Sequence, residues 1–277
     1  MSKKPKTISI IGGNGQMGQK FARAFKQFDC EVLVSDVDTK LSNKEVASQG
    51  NIVIITVPIH STQEIIADIV PVMKSGALLT DLTSVKVLPM KQMKKLSNDI
   101  AFVGGHPLFG PTTDFLHQHF ILCSGRDNEY VKWYKDFLNE LGMKVLEMDA
   151  HEHDRQMATI QCLTHFSTLS LASTLQKMDY DLDRGESIAT PVYLMRLYGV
   201  GRILAQDSDL YADMQVFNPY SKDVIKEYKV SVDELNNAVQ QGDTKKFHDV
   251  FEKSKKYFGA VADRSMKVTD KLIKVLS

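Results

Sequence analysis

The sequence predicts an α/β protein, with a Rossmann-type doubly wound, mostly parallel sheet followed by an all-helical second domain. Three observations predict it. The first 150 residues alternate short apolar runs with helix-forming segments. A glycine-rich turn at Gly13, Gly15 and Gly18 joins the first such run to the first helix. Beyond Ala150 the strand pattern disappears and helical periodicity continues to the end.

The first strand begins at Thr7, in TISIIGGNGQMG, and a helical run over 19–27 follows the glycines. Gly13 is expected to allow the turn, Gly15 to let backbone approach a phosphate, and Gly18 to let helix pack on strand. Gln16 and Met17 stand at the helix start, where free N–H groups and a positive partial charge suit a pyrophosphate. EVLVSD (31–36) is the second strand, and Asp36 closes it close to the usual interval past the last glycine. A carboxylate there accepts hydrogen bonds from ribose hydroxyls and repels a 2′-phosphate, which favours NAD over NADP. The plainer alternative is that Asp36 or Asp38 caps a turn.

NIVIITV (51–57) has the continuous apolar character of a strand buried on both faces, and the short link from Asp36 leaves room only for an abbreviated crossover helix. A helix over 61–73, strands at 77–83 and 101–106 around a lysine-rich helix, and strands at 119–125 and 143–149 around another complete the sheet. Helices are then expected over 151–178, 187–206, 221–227, 231–241 and 244–277, with Ser231 and Glu234 as a capping box. The chain divides near residue 150, into 1–150 as NAD-binding domain and 151–277 as helical domain.

Composition narrows the class. Lysine plus arginine equals aspartate plus glutamate at 34 each, so no global field favours nucleic acid or an anionic membrane. No apolar run reaches the length of a membrane span, and Cys30, Cys123 and Cys162 read as reduced residues of a cytoplasmic protein. His151 with His153, and His117 with His119, lack further ligands at helical spacing, so no metal site is expected.

Ligands of open α/β sheets sit beyond the carboxyl ends of the strands. Those ends carry the glycine loop, Asp36, Val57 and Pro58, Ser84, and His106. A histidine can take a hydroxyl proton as hydride leaves the same carbon, and Ser84 could share that hydroxyl. The glycines at 104, 105 and 110 would leave room for a bound molecule; the competing role for His106 is a bond to a backbone carbonyl. His60 reads as structural. In the helical half, 191–207 reads as a largely buried helix with interior glycines at 199 and 201 that suggest close approach of another group. Its Arg202 either holds a substrate carboxylate or pairs with a helical-domain acid. Asp154, Gln161 and His165 share one helix face, lining a cavity or satisfied within a core.

Taken together, GGNGQMG (12–18), TVPIHST (56–62), DLTSVK (81–86), GGHPLFGP (104–111), EHD (152–154), LTHF (163–166) and YGVGRILAQD (198–207) resemble the prephenate dehydrogenases of tyrosine biosynthesis. The chain is most similar to the dehydrogenase portion of the enterobacterial bifunctional enzymes. It is expected to lack their chorismate mutase helices and a regulatory domain of the ACT type. The resemblance implies that His106 accepts the proton of the ring C4 hydroxyl, with Ser84 assisting. It implies that Arg202 engages a substrate carboxylate and that His165 lines the cleft. It further implies NAD as cofactor, prephenate as substrate and a homodimer formed through the helical domain. Arogenate dehydrogenase is the nearest alternative. A β-hydroxyacid dehydrogenase would place lysine where His165 stands, and an NAD-sensing regulator would need a partner or DNA surface.

Overall fold

The computed structural model describes residues 3–276 apart from 96 and 98. Its strands are β1 (Thr7–Ile11), β2 (Glu31–Ser35), β3 (Ile52–Ile55), β4 (Leu78–Asp81), β5 (Ala101–Pro107), β6 (His119–Arg126) and β7 (Lys144–Met148). They form one sheet in the order β2-β1-β3-β4-β5-β6-β7. Every neighbouring pair is parallel except β5 with β6. The direction of winding reverses between β1 and β3, and a crevice opens at such a reversal, beyond the carboxyl ends.

The helices in chain order are α1 (Gln16–Gln27), α2 (Asn43–Ala47), α3 (Ile59–Ile69), α4 (Val87–Met93), α5 (Glu129–Glu140), α6 (Ala150–Met157), α7 (Thr164–Lys177), α8 (Leu182–Ser187), α9 (Pro191–Leu204), α10 (Ser208–Phe217), α11 (Ser221–Gln240), α12 (Thr244–Phe258) and α13 (Ala260–Leu276). Alternation along the strands serves two cores. Ile52 and Ile54 face the side covered by α1 and α5, where Phe21, Phe25, Tyr134 and Phe137 pack. Val53 and Ile55 face the side covered by α3, α4 and α6, with Ile66, Met90, Met93 and Met157. The abbreviated crossover is the five-residue α2, held by a complete capping box between Ser42 and Glu45.

Two compact units make up the chain. One runs to Ile160 and includes Asp209–Tyr220; the other comprises Gln161–Ser208 and the chain from Ser221 onward. The first unit therefore extends past residue 150 for a physical reason. Asp154 of α6 accepts backbone N–H groups of Lys86 and Val87. The 209–220 segment is tied in by Asp213 to His60 and by Asn218 to the Asp154 carbonyl.

The helical unit differs from expectation at its joints. The predicted helix over 151–178 is interrupted by a π-helical turn at Ala158–Leu163, which resets its register. α11 runs unbroken through 231, where the Ser231 hydroxyl donates back to the Glu227 carbonyl instead of capping a new helix. The predicted helix over 244–277 is split at Gly259, which has a positive φ of 47°; Ser277 lies outside the described residues. α9 is not largely buried. Only its Val200 is fully covered, while Val192, Tyr198 and Leu204 are exposed. A Cβ at Gly199 or Gly201 would meet open space, so no described residue approaches them closely. None of the helices of the described residues is long and apolar enough to cross a membrane.

Trp133, the single tryptophan, packs in the first unit's aromatic core and reports on that unit alone. Phe21 is fully buried against Phe25, Phe115 and Phe120. Phe21→Ala should cost about 3–5 kcal/mol. Urea unfolding followed by Trp133 fluorescence should show a correspondingly lower midpoint.

Candidate active site

The glycine loop is shaped by its neighbours. The positive φ, 78°, falls on Gly12 rather than Gly13. The Gly12 and Gly13 N–H groups both donate to the Ser35 carbonyl at the end of β2. Gly13 is required for space: an added Cβ would lie 2.3 Å from Val34 Cγ1. At Gly18 it would lie 2.6 Å from the Gly12 carbonyl oxygen, so only glycine lets α1 start this close to β1. Gly15 is the N-cap of α1, and no side chain caps the helix there. Gln16 is exposed at that helix end, and Met17 is half-buried against the core. The result is a bare helix N-terminus over a close-packed turn, which fits the phosphates of a dinucleotide.

Asp36 lies beside this loop. One carboxylate oxygen accepts the Asn14 N–H at 2.9 Å and the other the Val37 N–H at 2.8 Å. The residue therefore does brace turns, and each oxygen keeps a lone pair for a ribose hydroxyl. Val57 and Pro58 follow β3 on the other side of β1. Pro58 is the N-cap of α3, and Val57 flanks Gly12.

At the ends of β4 and β5 the polar groups are buried. Lys86 and Asp81, both fully buried, form an ion pair that Thr83 shares. Ser84 is half-buried on the same connection. The space at Gly104 is filled by the Lys86 stem and Met90, and that at Gly105 by the Asp81 carbonyl and Phe120. Of the three glycines expected to leave room for a ligand, only Gly110 has open space beside it.

His106 is 2% exposed near the end of β5. Its Nδ1 lies 2.8 Å from Nε2 of His153, whose own Nδ1 lies 2.7 Å from Oδ1 of Asp154. His153 and Asp154 are fully buried on α6. Burial, reinforced by the charges of His153 and Lys86, holds the His106 pKa well below the usual imidazole value. Burial also lowers His153, with Asp154 opposing. At neutral pH His106 is thus an uncharged base backed by a second imidazole and a carboxylate. The neighbouring Cys123 thiol is pushed up to about 12 by burial and is no nucleophile.

The carboxyl edge of one sheet thus gathers Gly13, Gly15, Gln16, Met17, Gly18, Asp36, Val57, Pro58, Ser84 and His106. Arg202 and His165 belong to the helical unit. Arg202 is exposed on α9 and, among the described residues, makes no ion pair. His165 is half-buried on α7, and burial lowers its pKa. Asp154 does not join Gln161 and His165 in one unit, because the π-helical turn intervenes. His153 was not anticipated as a site residue. Its signal was the buried spacing His153, Asp154, Met157 and Ala158 on a helix otherwise polar.

Comparison with known proteins adds family information. The family model "prephenate dehydrogenase, nucleotide-binding domain" matches residues 26–147, and "prephenate dehydrogenase, dimerization domain" matches 149–253. The glycine loop lies ahead of the first match, so its fit to a nucleotide rests on geometry. A probable arogenate/prephenate dehydrogenase of Methanocaldococcus jannaschii is 33% identical over 98% of this chain and 65% of its own length. The T-protein of Haemophilus influenzae is 32% identical over 96% of this chain and 71% of its own. The chain thus spans about two thirds of the length of these relatives. The fold is shared with a prephenate dehydrogenase of Aquifex aeolicus solved with hydroxyphenyl propionate and NAD⁺. That match has a TM-score of 0.78 at 19% identity and covers 97% of this chain and 100% of that one.

The buried imidazoles make stability depend on pH. Unfolded, His106 and His153 take up protons near pH 6.5, whereas in the folded unit they do so only at lower pH. Between those values the unfolded chain binds more protons, so stability falls as pH drops below about 6.5. The urea midpoint reported by Trp133 should decline from about pH 7 to 5, and His106→Gln should make that decline shallower.

Proposed function

The chain belongs to the prephenate dehydrogenase family, and from that premise we propose that it converts prephenate to 4-hydroxyphenylpyruvate and CO₂ with NAD⁺, a step of L-tyrosine formation. The observation that carries this is the neutral, buried His106 at a sheet edge that also holds a bare, glycine-built helix N-terminus.

Bound NAD⁺ supplies the hydride acceptor. Backbone N–H groups at the start of α1 bind its pyrophosphate, and Asp36 accepts from the adenosine ribose. No arginine adjoins Asp36 in sequence to favour a 2′-phosphate. His106 takes the C4 hydroxyl proton, and Ser84 orients that hydroxyl. Loss of the ring carboxylate as CO₂ is driven by aromatisation and asks no further acid or base of the protein. Arg202, with no acid partner among the described residues, offers a guanidinium fork to a substrate carboxylate, and His165 contributes to substrate binding. The protein's task is orientation and charge placement.

A dimer through the helical unit fits the second family match. It also fits the exposed apolar side chains Val192, Tyr198, Leu204, Phe251 and Phe258 on that unit. Light scattering should give the mass of two chains. The free, buried cysteines are consistent with a reducing, cytoplasmic setting.

Steady-state kinetics test the proposal. Prephenate should be turned over with a higher kcat/KM than arogenate, and the reverse order would replace it as substrate. His106→Asn should lower kcat by about 10²–10⁴-fold while NAD⁺ affinity stays near wild type; normal turnover would remove His106 from its role. Asp36→Ala should weaken NAD⁺ binding and narrow the preference over NADP⁺. Arg202→Gln should raise KM for prephenate at unchanged melting temperature, whereas a structural arginine would show the opposite pattern.

A further inference from the structure

With Asp154 ionised and both imidazoles uncharged, the hydrogen bonds behind His106 leave one consistent placement of protons. Asp154 is fully buried, and its two oxygens accept the backbone N–H groups of Lys86 and Val87 at 2.7 and 2.8 Å. A carboxylate only accepts, so His153 Nδ1, 2.7 Å from Oδ1, must donate. A neutral imidazole has a single N–H, which makes His153 Nε2 an acceptor. The contact of 2.8 Å between His153 Nε2 and His106 Nδ1 then requires His106 Nδ1 to carry the hydrogen. The opposite placement would set a lone pair of His153 against the carboxylate with no solvent to intervene.

We infer that Asp154 and His153 are positioning residues that hold His106 as its Nδ1–H tautomer, so that Nε2 is the atom that takes the substrate proton. This rests on the reading of His106 as the base. The other charges facing the pair are Lys86 and its partner Asp81. When His106 accepts a proton, the new charge lies one imidazole away from Asp154, whose carboxylate stabilises it. Asp154 stands to His106, through His153, as the acid of a hydrolase triad stands to its histidine.

The test reads the tautomer directly and does not depend on turnover. The full chain, labelled with ¹⁵N-histidine, is studied at neutral pH by long-range ¹H–¹⁵N correlation, with His106→Asn assigning the His106 ring. The expected spectrum has a protonated Nδ1 and a lone-pair Nε2. An Nε2–H ring, or an average of both forms, would overturn the inference even if prephenate were turned over normally. Failure to turn over prephenate with the expected tautomer present would instead count against the functional reading. In kinetics, Asp154→Asn and His153→Phe should each lower kcat by about 100-fold or more, with KM for NAD⁺ within about twofold of wild type. A folded His153→Phe within about threefold of wild-type kcat would also overturn it. Should Asp154→Asn fail to fold, His153→Phe and the wild-type spectrum still decide.

Discussion

One carboxylate joins the parts of the nucleotide-binding unit that matter for chemistry. α4 begins at Lys86 and Val87 with no side-chain cap of its own. Asp154 supplies the cap from α6, accepting both first N–H groups where the helix end is positive. The same carboxylate holds His153, and separately the backbone carbonyl of Asp154 accepts the Asn218 side chain from the segment that follows α10. A buried carboxylate is costly unless it is fully hydrogen-bonded, and this one is. Helix start and imidazole orientation therefore stand or fall together.

Beside it lies a second buried charge cluster, Lys86 with Asp81 and Thr83. Its net contribution to stability is small, because desolvation offsets attraction, but losing one partner would strand the other at a cost of about 3–5 kcal/mol. Burial first, and then the Lys86 ammonium, disfavours a charge on His106 and on His153, with Asp81 opposing at His153. The cluster also consumes space that the sequence suggested for a ligand, since Gly104 faces the Lys86 stem.

The sheet was legible because parallel strands buried on both faces must be continuously apolar, as β3 is, and because their ends collect the polar residues. The strand ends marked His106, Ser84, Asp36 and the glycine loop for the same edge, and the family motifs cover all of these but Asp36. Features set by distant partners were not legible. The Gly12 φ depends on how the loop reaches Ser35, and His60 finds Asp213 153 residues away. The π-helical turn and the break at Gly259 carry weak local signals, and Ser231 imitates a cap because serine bonds backbone in either setting. His153 was legible as one of two alternate histidines, a pattern that first raises metal binding, and as part of the EHD motif, and neither gave it a role. Its partner on β5 is 47 residues away in sequence, and only the fold joins them.

Product stoichiometry tests the central claim most directly. The full chain is incubated with prephenate and NAD⁺, and NADH absorbance is followed together with released CO₂. Equal amounts of the two, with 4-hydroxyphenylpyruvate as the organic product, are expected if loss of hydride from the alcohol carbon is coupled to loss of the ring carboxylate. CO₂ released without NADH, or neither product from a folded chain with NAD⁺ bound, would contradict it.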